Sequence, residues 1–144
     1  MTIYYKKLHP DAKPPFRATE NSAGADLCAL IEEDTVIKSE SQLMIPTGIA
    51  VEIPAGYGGF IFPRSSVSAR YGVSLVNSVG VIDADYRGEL KIPLINHSKS
   101  DYTFKNGERI AQLVIMPVEY AEFTQKNSLS DTIRGDGGFG STGM

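Results

Sequence analysis

The sequence predicts an all-β sandwich or barrel. Three observations carry this expectation. Short β-type runs dominate the 144 residues, turn residues break them at spacings of about ten residues, and several runs alternate apolar and polar positions, as in Ile49-Ala50-Val51-Glu52-Ile53. In chain order the runs lie at 2–7, 25–30, 35–38, 43–45, 48–53, 59–62, 73–76, 79–83, 89–95, 102–104 and 109–118. Each is rich in Val, Ile, Thr, Tyr or Phe, or is a short apolar stretch of strand length. Pro46-Thr47-Gly48 and Pro54-Ala55-Gly56 punctuate the first half, and Asn106-Gly107 predicts a two-residue hairpin. The one plausible helix covers 65–71, with Ser65 and Ser66 suited to the N-cap and Gly72 to the stop.

Composition is that of an ordinary globular domain: 42% hydrophobic, 22% charged. The net charge of -3, with no lysine or arginine cluster, argues against a nucleic-acid surface. Cys28 is the single cysteine, so no intrachain disulfide forms. It lies in an apolar run as a small core residue. The first residues, Met1-Thr2-Ile3-Tyr4-Tyr5-Lys6, lack a signal-peptide apolar block, and no run approaches membrane-spanning length. A cytoplasmic protein, without membrane or nucleic-acid partners, is the expectation.

Chemistry concentrates in Val79-Gly80-Val81-Ile82-Asp83-Ala84-Asp85-Tyr86-Arg87-Gly88-Glu89-Leu90. The stretch reads as a β-hairpin with two acids, a tyrosine and an arginine at its tip. Val79, Val81 and Asp83 share one side of the incoming strand, and Leu90, Ile92 and Leu94 one side of the return strand. An acid ending a core-facing strand meets a cavity instead of bulk water and is a candidate general base. By itself the stretch reads more readily as a charged turn, since Asp and Gly are common turn residues. Pro63-Arg64-Ser65-Ser66 brings a guanidinium, two hydroxyls and helix-start N–H groups together as an anion site, or is a capped helix with a solvent-facing arginine. Asp26 starts a strand, and Gln112 is an amide inside an apolar strand that needs buried partners or a ligand. His9 and His97 have no metal-ligand spacing. From residue 126 the chain turns glycine-rich and apolar-poor, and Phe139 within Arg134-Gly135-Asp136-Gly137-Gly138-Phe139-Gly140-Ser141-Thr142-Gly143 suits stacking on a planar ligand.

The segments 23–27, 63–66, 80–89, 109–112 and 134–143 resemble, in order and spacing, the five motifs of the trimeric deoxyuridine triphosphatase (dUTPase) family. The resemblance covers essentially the whole chain. It implies a distorted jelly-roll or β-barrel with one short helix, spanning 1–125, and a glycine-rich C-terminal arm over 126–144 that closes over the active site of a neighbouring subunit. It implies a homotrimer with three active sites at subunit interfaces. The implied reaction is hydrolysis of dUTP to dUMP and pyrophosphate with Mg2+, by water attack on the α-phosphate, which keeps uracil out of DNA and supplies dUMP for thymidylate synthesis.

By the same resemblance Asp83 deprotonates the attacking water, and Asp26 steadies the metal–triphosphate unit through water. Arg64, Ser65, Ser66 and Gln112 contact phosphates. Asn77 and the backbone of Val81 and Ile82 read uracil, with Lys91 on the facing strand. Tyr86 packs under the deoxyribose. Arg134, Phe139, Gly140, Ser141 and Thr142 belong to the arm. Ser66 and Asp136 depart from common family versions, Ser66 often corresponding to Gly. The dCTP deaminases share the fold and an Arg-Ser-Ser helix start, but place a catalytic glutamate near the position of Pro93, and proline cannot act as a base. A non-catalytic binding module on the same fold would need neither Asp83 nor a complete arm.

Overall fold

In the computed structural model, which describes residues 1–138, every one of the expected runs becomes a strand. They are β1 (Tyr4–Lys7), β2 (Ala25–Cys28), β3 (Thr35–Ile37), β4 (Gln42–Pro46), β5 (Ile49–Glu52), β6 (Tyr57–Pro63), β7 (Val73–Leu75), β8 (Gly80–Ile82), β9 (Lys91–Asn96), β10 (Tyr102–Phe104) and β11 (Arg109–Pro117), with α1 (Ser65–Tyr71) between β6 and β7. Sheets of order β2-β11-β6-β8 and β4-β9-β7 are joined by the pairs β1-β5 and β10-β3. All pairings are antiparallel. No helix of the described residues is long and apolar enough to cross a membrane.

Alternation builds the core. In β9, Ile92, Leu94 and Asn96 turn inward while Lys91 points out. Ile45, Ile49, Val51, Ile61, Leu75, Leu90 and Phe104 close around them. Each such aliphatic contributes about 1.5–3 kcal/mol by leaving water. The buried Asn96 amide is satisfied by the Ser100 carbonyl at 2.8 Å and by the Ser98 N–H at 2.9 Å. Cys28 is buried as expected, and burial pushes its thiol pKa up. At one end Tyr102 lies between Tyr71 and Phe104, with ring centroids 4.6 and 4.8 Å away. Its hydroxyl donates to Glu108 Oε1. Burial first, and then this carboxylate, raise the Tyr102 pKa.

Strands adjacent in sequence do not pair with each other, which corrects two expectations. β8 pairs with β6 in one sheet, and β9 with β4 and β7 in the other, so residues 83–90 form a corner between sheets and not a hairpin. Asn106-Gly107 is likewise a turn, closed by the Glu108 N–H to the Lys105 carbonyl at 3.1 Å, but β10 and β11 run to different partners. In both places the neighbouring sheets supply the pairing that a local hairpin would have taken.

The core-facing side of β8 is also reversed. Val81 is 64% exposed and Asp83 is exposed, while Ile82 packs against the core. Because side chains alternate along the strand, Ile82 on the core side leaves Val81 and Asp83 facing the other way, into a cavity. Helix α1 is capped by Arg64, with φ -91° and ψ 131°, and carries no side-chain cap bond. Ser65 and Ser66 already lie inside the first turn, where their hydroxyls are not used for capping. Gly72 ends the helix in the left-handed region as expected. The last strand stops at Pro117, and residues 118–138 form no strand or helix.

Candidate active site

Five residues expected at the base and sugar, Asn77, Val81, Ile82, Tyr86 and Lys91, meet with Asp83, the expected general base, at one cavity of about 330 Å³. Met44, Ile61, Leu75, Leu90 and Pro93 supply apolar wall, and Glu89 joins the rim. This volume and mixture suit a small ligand held by apolar contact and a few polar groups. β8 brings more than side chains. Among the described residues it pairs on one side only, with β6, which leaves alternate N–H and C=O groups on its other edge open to a ligand. Asp83 sits just past the end of this strand, and the Tyr86 N–H closes a turn onto its carbonyl at 3.2 Å. The acid is thereby fixed beside the exposed strand edge.

A second cavity, about 260 Å³, gathers Asp26, Arg64, Ser65 and Gln112 with Ala18, Ser22, Ala23 and Gly24. The register of β11 on β2 sets Gln112 opposite Asp26, and on β6 it sets Ala111 opposite Pro63. Asp26 is 7% exposed, and both of its oxygens are occupied. Oδ1 accepts from Arg64 Nε at 2.8 Å and Oδ2 from Arg109 Nη1 at 3.0 Å. One carboxylate against two guanidiniums leaves the cluster one positive charge in excess. Each guanidinium has five donors, so most of those on Arg64 and Arg109 stay free for an anion. Gln112 Nε2 donates to the Pro63 carbonyl at 3.1 Å, which orients the amide. Ser66 opens instead on a neighbouring cavity of about 400 Å³ lined by Arg64, Arg70 and Arg109.

Arg109 was not singled out from sequence. The pairing that brings it to Asp26 spans 83 positions, and only the excess of charge around a buried acid reveals it. Glu89 lies inside the stretch singled out but was given no role from sequence, because its partner, the Gly48 N–H, is 41 positions away. Arg134 is not brought to either cavity: its Nε donates to the Gly137 carbonyl at 2.8 Å in a local turn. Phe139, Gly140, Ser141 and Thr142 lie outside the described residues.

Among the described residues no group of three or more His, Cys, Asp or Glu could hold a metal ion by itself. What Asp26 retains are the lone pairs that its two arginines leave open. That donor set fits a hydrated cation arriving on phosphate oxygens, in the manner of Mg2+, which keeps several of its waters. The two cavities have no lining residue in common. One can hold a planar base and a sugar, and the other an anion.

A dUTPase family profile matches residues 11–143. The chain is 47% identical over 144 residues to a deoxyuridine 5'-triphosphate nucleotidohydrolase of Hydrogenobaculum sp. (strain Y04AAS1), covering 100% of this chain and 99% of the relative. It is likewise 47% identical over 144 residues to that of Syntrophotalea carbinolica, covering 100% and 98%. Among solved structures, the Staphylococcus bacteriophage 80alpha dUTPase with dUpNHpp superimposes with a TM-score of 0.90 at 32% identity, over 99% of both chains. A mutant dUTPase of S. aureus phage phi11, described with a structural Mg(II) ion, gives 0.82 at 27% identity, over 91% of this chain and 100% of that one.

Proposed function

The chain belongs to the dUTPase family, a jelly-roll-like β fold, and we propose that its hydrolysis of dUTP to dUMP and pyrophosphate uses Asp83 as the base that deprotonates the attacking water. The observation that carries this reading is the convergence of Asn77, Val81, Ile82, Asp83, Tyr86 and Lys91 on one cavity beside an open strand edge. Uracil offers an acceptor at position 4 and a donor at position 3, and cytosine reverses both. A backbone edge cannot exchange its donors and acceptors, so cytosine would leave buried groups unpaired, a penalty on the order of 10⁴ in specificity. Tyr86 lies under the deoxyribose and leaves no room for a 2′-hydroxyl. Pro93 lines the same cavity where a deaminase would need a base.

The phosphates belong with the second cluster. Arg64, Ser65 and Gln112 face them, Ser66 reaches from the adjoining cavity, and the excess positive charge around Asp26 offsets the triphosphate. Asp26 would hold Mg2+ through its waters. When bound, the ion supplies charge neutralisation on the phosphate oxygens. Asp83 orients the nucleophilic water and takes its proton, and the arginines stabilise the charge that develops on the α-phosphate.

The active enzyme is a homotrimer, with each site built across subunits. Two observations support this: the nucleoside and anion cavities of one chain share no residue, and Tyr120 and Phe123, beyond the last strand, are 68% and 96% exposed. The arm from residue 126, with Arg134, Phe139, Gly140, Ser141 and Thr142, closes over a neighbour's site. A cytoplasmic location is supported by the unpaired Cys28.

Asp83→Asn tests the central role. The amide keeps shape and loses the proton acceptor, so turnover of dUTP should fall at least about 10²-fold while binding of a non-hydrolysable analogue persists. Near-native turnover would remove Asp83 from this role.

A further inference from the structure

The corner that carries Asp83 and Tyr86 is gripped from behind by a turn that lines neither cavity. Thr47, 1% exposed, donates its hydroxyl hydrogen to the Leu90 carbonyl at 2.7 Å. The Leu90 N–H donates to the Ile49 carbonyl at 2.8 Å. Between these bonds the Gly48 N–H donates to Glu89 Oε1, also at 2.8 Å. Three successive residues of one turn therefore hold two successive residues of the corner.

The grip reaches the sugar side of the site through Tyr86. Its hydroxyl donates to the Glu89 carbonyl at 3.0 Å, so the far end of the ring is tied to the residue that Gly48 holds. The ring lies against the backbone at Gly88, where an added Cβ would stand 2.5 Å from Tyr86 Cζ. A ring that excludes one hydroxyl group must hold its place to a fraction of an ångström, and tying both ends to fixed backbone does this.

We propose that Thr47 and Glu89 are positioning residues for sugar discrimination, acting through the Glu89–Leu90 backbone on Tyr86. This rests on the reading of Tyr86 as the wall beneath the deoxyribose. Without the Thr47 hydroxyl the Leu90 carbonyl loses a buried partner. Without the Glu89 carboxylate, Gly48 is released and residues 86–89 can slide away from the sugar. Glu89 also sits 3.7 Å from the Lys91 ammonium, so Glu89→Gln separates the two contacts: it keeps an acceptor for Gly48 and loses the ion pair.

The experiment compares kcat/KM for dUTP and UTP in Tyr86→Ala, Thr47→Val, Thr47→Ser, Glu89→Ala and Glu89→Gln. Thr47→Val and Glu89→Ala should lower the dUTP/UTP ratio about tenfold, while Thr47→Ser and Glu89→Gln should hold it within about twofold, because each keeps the hydrogen bond. A merely structural role would depress both substrates in parallel and leave the ratio unchanged, which overturns the proposal. If Thr47→Val does not fold by circular dichroism, the Glu89 pair decides alone. An unchanged ratio in Glu89→Ala, beside a collapsed ratio in Tyr86→Ala, removes the positioning role and leaves Tyr86 in place. An unchanged ratio in Tyr86→Ala removes both.

Discussion

Asp26→Asn should destabilise the protein more than Arg109→Met, the loss of the more exposed of its two arginine partners. Asp26 is the one negative charge between two guanidiniums, with its side chain 10% exposed. An asparagine can turn its single carbonyl oxygen to only one arginine. Its NH2 group then faces the other, donor against donor. Removing one partner of a well-buried ion pair costs about 3–5 kcal/mol. Arg109, however, is 42% exposed and recovers water, so about 2–3 kcal/mol is expected for Asp26→Asn once that screening is discounted. At about 3 °C per kcal/mol for a chain of this size, Tm falls by about 6–9 °C. Arg109→Met leaves Asp26 its bond to Arg64 and should cost about 1 kcal/mol, or about 3 °C. Thermal unfolding followed by circular dichroism, without nucleotide, measures both. A shift below about 1 °C for Asp26→Asn, or a larger loss in Arg109→Met, would refute the two-arginine account of this acid.

Gly48→Ala should be among the most damaging single changes. Gly48 has φ +67°, and a Cβ there would lie 2.5 Å from Leu30 Cδ2 and 2.8 Å from Ala12 Cβ. A loss of at least about 3 kcal/mol is expected, read as lost soluble yield or a depressed Tm. Tyr102→Phe should flatten the alkaline arm of the stability profile. The native state raises this phenol's pKa above its unfolded value, so its contribution is complete below about pH 10 and is lost as pH climbs beyond that. An equally steep fall in Tm above pH 10 for the variant would contradict this. Ending the chain at Ile133 should leave Tm within about 2 °C, because residues 134–138 form no strand or helix, yet on the proposed reading of the arm as a lid it should cost at least about tenfold in turnover. Full activity of the truncated chain would show that the arm plays no part.

What the sequence made legible was strand placement and residue chemistry. Alternation in residues 49–53, the strand-length run at 25–30 and the glycine after Tyr71 map directly onto β5, β2 and the end of α1. Side-chain periodicity is local, and local physics decides it. Pairing is not local. The run 79–90 carries every mark of a hairpin, yet β8 goes to β6 and β9 to β4 and β7, because the two larger sheets compete for those edges more strongly than the strands do for each other. The same blindness hid Arg109, whose partner Asp26 lies on another strand of its sheet, and the Thr47–Leu90 bond that anchors the corner. Asp83 and Tyr86 were legible as chemistry because they crowd into the one short stretch 79–90, whereas Asn77 and Lys91, which line the same cavity, were reached only through the family resemblance. That they sit apart from the Arg64 cluster within one chain emerges only from the fold.

That separation gives the most direct test of the whole account, a subunit-mixing assay. Asp83→Asn carries a spoiled nucleoside side and an intact anion side, and Arg64→Met carries the reverse. Each should be nearly inactive alone. If the chain is the homotrimer proposed above, the two variants, unfolded together in equal amounts and refolded, form mixed trimers, and sites built across subunits can then draw Asp83 from one subunit and Arg64 from another. If the two cavities that meet at a site come from different subunits, random mixing returns about a quarter of wild-type dUTP turnover. If both come from the same chain, every site keeps one defect and the mixture stays as inactive as its parents, which would contradict the account.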